Sequence, residues 1–127
     1  MRSELLAVSN NPLVWSLARE QALPCRRISG TALDVLYACM DLVGEGGCAL
    51  YAHALAGNAR LVHNPFRSVA IAQAGQFRAE RQAADLRQLE YFIRKLEELD
   101  GQPPEETFAD YRIVDFELFR SIRPLYE

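Results

Sequence analysis

The chain has 127 residues, 50% of them apolar and 24% charged, with a formal net charge of −3. This is the balance of an ordinary soluble domain, and it excludes a disordered tail, a collagen-like repeat and a disulfide scaffold. A net deficit of bases argues against nucleic-acid binding, and no apolar stretch approaches the roughly 18 residues of a membrane-spanning helix.

Leu5 to Val8 is a short unbroken apolar run closed by Ser9-Asn10-Asn11-Pro12, the pattern of a buried strand and a turn. Asn11 followed by Pro12 predicts a helix start, an amide cap before a proline whose missing N–H costs nothing there. Leu13, Val14, Leu17 and Ala18 give that helix its apolar face. After Pro24, Cys25 to Ile28 reads as a second, weaker strand. Thr31 is placed to cap the next helix, Ala32 to Val43, whose Leu33, Leu36, Tyr37, Met40 and Val43 fall at helical spacing. Gly44 is placed as its left-handed stop.

Cys48 to Tyr51 reads as a third strand. Residues 52–67 read as a long loop with turn signals at Gly57-Asn58 and Asn64-Pro65, and Val69 to Ala72 as a fourth strand. A helix over Arg78 to Leu99 carries Ala79, Ala83, Leu86, Leu89, Ile93 and Leu96 on one side and is closed by Gly101 and Pro103-Pro104. Thr107-x-x-Asp110 has the form of a capping box. The last helix, about Phe108 to Ile122, is expected to bury Tyr111, Val114, Leu118 and Ile122, with Phe116 and Phe119 widening that face.

Strands alternating with helices predict an α/β fold in one domain over residues 1–127, with the sheet and pocket loops in 1–75 and two C-terminal helices in 76–127. The expected sheet is small, parallel and Rossmann-like, with about four strands in the order 2-1-3-4. Ligands in such sheets lie beyond the carboxyl ends of the strands, at the point where the order reverses. That rule brings Ser9–Pro12 and the segment from His53 to Asn58 side by side.

No Asp or Glu occurs between Glu45 and Glu80, a stretch that holds Arg60, Arg67, Arg78, His53 and His63. The bland reading is a buried strand pair; the sharper one is a region that receives an anion. On the sharper reading Asn10, Asn11, His53, Gly57, Asn58, Arg60 and Ser68 are the candidate ligand-binding residues, the amides supplying polar contacts and Gly57 a close backbone approach. His53, just past a strand, is the candidate for general acid–base catalysis. No metal site is expected, because the two histidines stand ten residues apart with no acid or cysteine pair beside them. No cofactor is expected either, since neither a GxGxxG nor a GxxxxGK[ST] loop is present. Three cysteines without a CxxC pair, and an apolar N-terminal run too short for a signal peptide, lead to an expected cytoplasmic location.

The stretch Leu6 to Val14 and the stretch from His53 to Val69 together resemble the GrdX family, small proteins encoded among the genes of glycine, sarcosine and betaine reductases. The first is Leu6-Ala7-Val8-Ser9-Asn10-Asn11-Pro12-Leu13-Val14, similar to that family's strand–TNNP–helix start. The second runs from His53-Ala54-Leu55-Ala56-Gly57-Asn58-Ala59-Arg60 to Pro65-Phe66-Arg67-Ser68-Val69, similar to its His-Pro-Leu-x-Gly segment and the later run into a strand. Ala54 stands in place of the family's Pro, and Arg60 in place of its Lys. The resemblance implies an accessory to reductase-type amino-acid metabolism and transfers no catalytic set. The expected function is binding of a small anionic metabolite at the strand edge. Two rivals remain open: an enzyme using His53, and an assembly protein that forms homo-oligomers or docks on a reductase component through its C-terminal helices.

Overall fold

The computed structural model describes residues 5–53, 64–73, 77–99 and 101–122. In chain order it has β1 (Leu5–Ser9), α1 (Pro12–Glu20), β2 (Cys25–Arg27), α2 (Ala32–Gly44), β3 (Ala49–His53), β4 (Ser68–Ala72), α3 (Ala79–Glu97), a 3-10 turn (Glu105–Thr107) and α4 (Phe108–Arg120).

The class is α/β, as expected, but the sheet is mixed and its order is β2-β1-β4-β3. This corrects the parallel 2-1-3-4 arrangement. β1 and β2 are parallel, while β4 lies between β1 and β3 and runs antiparallel to both. The strand expected at the edge therefore sits at the centre. Its Ser68 to Ile71 are all buried, so it reads as a continuous apolar run whichever way it points. Since β4 reverses, the carboxyl ends of β1, β2 and β3 share one edge with the start of β4.

Helices cover both faces. On one, α2 and α3 pack over Val8, Leu50, Val69 and Ile71 with Val35, Leu36, Cys39, Val43, Leu89 and Ile93. On the other, α1 and α4 pack over Leu5, Ala7 and Ala70 with Val14 and Phe119. At about 25 cal/mol per Å² of apolar area, these two layers supply the main drive to fold.

The local signals for helix starts hold at two of three places. Asn11 caps α1 by accepting from the Leu13 N–H at 3.0 Å, with Pro12 first in the helix. Thr31 and Asp34 form a reciprocal capping box on α2. It needs Gly30, because a Cβ there would collide with Asp34 Oδ2. Thr107 forms no capping box: its hydroxyl donates to the Pro104 carbonyl and closes the 3-10 turn instead. Gly44 is the last helical residue of α2, not its left-handed stop. That conformation falls on Gly46 and Gly47, at φ +89° and +79°.

Two buried acids depart from the expected helix faces. Asp85 of α3 accepts from the Leu50 N–H at 3.0 Å, and Arg81, paired with Asp85 at 3.2 Å, donates to the Leu50 carbonyl. The pair occupies both backbone groups of Leu50 in the edge strand β3, which would otherwise be open to another strand. In α4 the inward residues are Asp115 and Phe119, while Val114, expected inside, is 41% exposed.

Candidate functional site

The shared strand edge is built from two turns and one face of α4. In register, Ser9 at the end of β1 lies opposite Ser68 at the start of β4, and His53 at the end of β3 lies opposite Val69. The β1–α1 turn and the end of β3 thus share an edge, with β4 between them and not side by side as expected. The backbone of His53 is placed there; its side chain, and all of Gly57, Asn58, Arg60 and His63, lie outside the described residues.

The asparagine pair joins segments far apart in the chain. Asn10 Nδ2 donates to the carbonyls of Gly30 and Pro65 at 3.1 and 3.0 Å, and its Oδ1 accepts from the Arg67 N–H at 2.8 Å. Asn11 Nδ2 donates to the Arg112 carbonyl and to Asp115 Oδ2, both at 2.9 Å. With the Leu13 cap on its Oδ1, both Nδ2 protons and the carbonyl of Asn11 have protein partners. These amides hold the edge together.

Behind them runs a buried chain of hydroxyls. The Asn11 N–H donates to Ser9 Oγ at 2.9 Å, Ser9 Oγ is 2.7 Å from Ser68 Oγ, and Ser68 Oγ donates to Asp115 Oδ2 at 2.6 Å. Since the single proton of Ser68 goes to the carboxylate, Ser9 is the donor in the serine pair. Ser9 and Ser68 are wholly buried and Asp115 is 1% exposed, so this chain welds α4 to the sheet. On the wall of the edge, Asn64 donates to the Tyr111 carbonyl at 2.9 Å and accepts from the Phe66 N–H at 2.8 Å.

An open hollow of about 220 Å³ is lined by Asn64 and Pro65 but by no residue of the weld. Its walls are the start of α2 (Thr31, Ala32, Leu33), Asn64 and Pro65, the end of α3 (Leu96), and the following stretch through Leu99 to Pro103. Ala32 and Leu33 are the first two residues of α2, whose N–H groups have no acceptor inside the helix.

A comparison with known families matches residues 6–123 to the family described as GrdX-like protein. The chain belongs to the GrdX-like family. The match takes in the β1–α1 turn, the hollow and the weld, and it extends past the residues that carried the resemblance into both C-terminal helices. No curated protein and no solved structure matches the chain.

The electrostatics of this GrdX-like edge are set by burial. Arg67 is wholly buried, and desolvation pushes its pKa down to about 10, opposed by the charge of Asp115. It still carries its proton at neutral pH. Burial pushes the Asp115 carboxyl above its usual range, opposed by hydrogen bonds from Ser68 and Asn11 and by Arg67. The thiols are not poised for chemistry: Cys39 is pushed up to about 12, and Cys25 and Cys48 are also raised, in each case chiefly by burial. Among the described residues no group of three His, Cys, Asp or Glu could hold a metal ion, and no helix is long and apolar enough to cross a membrane.

Sequence reasoning missed Asp115 and Arg112. Asp115 reads as an exposed charge on a helix whose apolar positions include the neighbouring Ile113 and Val114. Its signal was indirect: Asp115 is followed at i+1 and i+4 by Phe116 and Phe119, the residues that do pack inward.

Proposed function

We propose that this GrdX-like chain binds a small anionic metabolite in the hollow at the carboxyl edge of its sheet and serves, without catalysis, as an accessory to glycine- or betaine-reductase-type amino-acid metabolism. The observation that carries the reading is the hollow itself, which opens at the start of α2 beside Pro65, whose carbonyl accepts from Asn10 at the end of β1. Its volume of about 220 Å³ suits a molecule of amino-acid size and is below the roughly 300–1,000 Å³ of drug-sized ligand pockets. Free N–H groups in the first turn of a helix favour a carboxylate or phosphate. His53 and Arg60, on the chain that leaves this edge, are the proposed source of further charge, with Gly57 and Asn58 between them. The Asn10, Asn11 and Ser68 side chains shape the site from behind. No cofactor is part of this reading, and the proposed setting is a reducing cytoplasm, which suits three free thiols.

The test is a thermal-shift and calorimetric screen of glycine, sarcosine, betaine, acetyl phosphate and nucleotides. A ligand that binds only the folded chain raises its stability in proportion to the logarithm of ligand over Kd. The expected result is stabilisation by one of the small compounds and not by nucleotides, reduced in Gln102→Trp, which crowds the hollow, and in His53→Ala and Arg60→Ala. Binding unchanged in all three rejects the site. Turnover of a hit that His53→Gln abolishes with the fold intact replaces this reading with the enzymatic one.

A second reading has its own observation. Ile113 and Val114 of α4 are 52% and 41% exposed, side by side on the outer face of the helix. Such a patch suits a second copy or a reductase component. Light scattering of the full chain tests the homo-oligomer: a monomer at high concentration removes it.

A further inference from the structure

Arg112 lies on α4 at the same edge, and its backbone is tied down on two sides. Its carbonyl accepts from Asn11 Nδ2, and the carbonyl of its neighbour Tyr111 accepts from Asn64 Nδ2, each at 2.9 Å. The guanidinium carbon sits 4.9 Å from the centre of the Phe66 ring. Phe66 is braced edge-on against Phe108 at 5.9 Å and follows Pro65, which lines the hollow.

A guanidinium held over an aromatic ring is oriented as well as attracted, because cation and ring meet best in defined geometries. Its Nε is sealed from solvent and has no hydrogen-bond partner, while the terminal nitrogens are not sealed in this way. The described ion pairs are Arg81–Asp85, Lys95–Glu98 and Arg120–Glu117, and none involves Arg112. A partly desolvated cation with no carboxylate of its own gains most from an anion that arrives from outside.

We infer that Arg112 receives the carboxylate of the ligand, both oxygens meeting the outward Nη1 and Nη2 fork. The inference rests on the small-anion reading above and deepens it, naming the ligand class as a monocarboxylate. One planar fork matches one planar, singly charged group. A phosphate dianion fits less well, because a single guanidinium leaves its second negative charge unmatched.

The test follows the side-chain Nε–H signal of Arg112 by NMR during titration with acetate and with inorganic phosphate. The variants are Arg112→Gln, Arg112→Lys and Phe66→Leu, each checked for fold by its backbone amide spectrum. Acetate is expected to move the signal to saturation. Arg112→Gln and Arg112→Lys should each weaken acetate binding at least tenfold, since lysine keeps the charge and loses the fork. Phe66→Leu should weaken it less. Should Arg112→Gln not fold, Arg112→Lys decides alone. Acetate that shifts Thr31 to Leu33 with equal affinity in wild type and both Arg112 variants overturns the role of Arg112 and leaves the hollow as the site. Phosphate bound tenfold more tightly than acetate through Arg112 overturns the carboxylate assignment. If neither anion moves any signal at this edge, both this inference and the small-anion reading fall.

Discussion

The two faces of the sheet are held by different physics. The α2–α3 face is apolar, with Val35, Cys39, Val43 and Leu89 interleaved over β1 and β4. The α1–α4 face has a smaller apolar cluster and, at the carboxyl edge, a buried polar weld of Ser9, Asn11, Ser68 and Asp115. Apolar packing is non-directional and accepts another side chain of similar volume. A buried hydrogen-bonded network accepts one arrangement, and losing a member leaves its neighbours unmatched in a medium where that is costly. One face therefore supplies bulk stability, while the other fixes the position of the edge where the ligand is proposed to sit.

Asp115→Ala removes the acceptor of Ser68 and Asn11 and a charge that offsets the buried Arg67; it should cost about 3–5 kcal/mol in urea unfolding. Asp115→Leu keeps the branched outline, with methyls in place of the oxygens, and should cost nearly as much; a loss under about 1 kcal/mol in both would show that the weld does not hold α4. On the apolar face Leu89, 2% exposed, should cost about 3 kcal/mol as Leu89→Ala and under about 1.5 kcal/mol as Leu89→Met. Tolerance of a similarly shaped swap on one face and not on the other is the expected signature.

The polar face should also carry a pH dependence that the apolar face lacks. The Asp115 carboxyl is raised in the folded state, so between its unfolded value, about 3.9, and its higher folded value the native chain binds more protons than the unfolded one. This group's contribution to stability is therefore fully present below about pH 3.9 and is lost as pH rises through the folded value. Subtracting the urea-stability profile of Asp115→Asn from that of wild type should isolate this slope; identical profiles would contradict it. Thr31→Ala, which removes one half of the α2 capping box, should cost about 1 kcal/mol. Ile113→Ser, on the outside of α4, should change stability by no more than about 0.5 kcal/mol.

Much of this architecture is legible in the residues. The four strands, the four helices and the caps at Asn11 and Thr31 follow from apolar spacing and from the chemistry of turns. The direction and place of β4 do not. Val69 to Ile71 are buried because the strand is central, and a strand covered on both sides carries no alternation that reports its direction. The same limit applies to α4. Apolar spacing points Val114 inward, yet the face that packs carries Asp115, whose burial is compensated by Ser68 and Asn11 from remote parts of the chain. Partners so distant in sequence leave no local signal. The asparagine pair was visible as a special turn, and its Asn11 cap could be read directly. Its links to Gly30, Pro65, Arg67 and Asp115 could not, because they depend on where β4 and α4 dock.

The carboxyl edge of this sheet is proposed as the binding edge. Mapping backbone amide shifts while titrating betaine into the full chain tests it most directly. Saturable shifts are expected at Thr31–Leu33, Asn64–Phe66, Gln102 and Arg112, together with His53 and Arg60. No shifts, or shifts centred on the far surface of α3 around Tyr91, would contradict it.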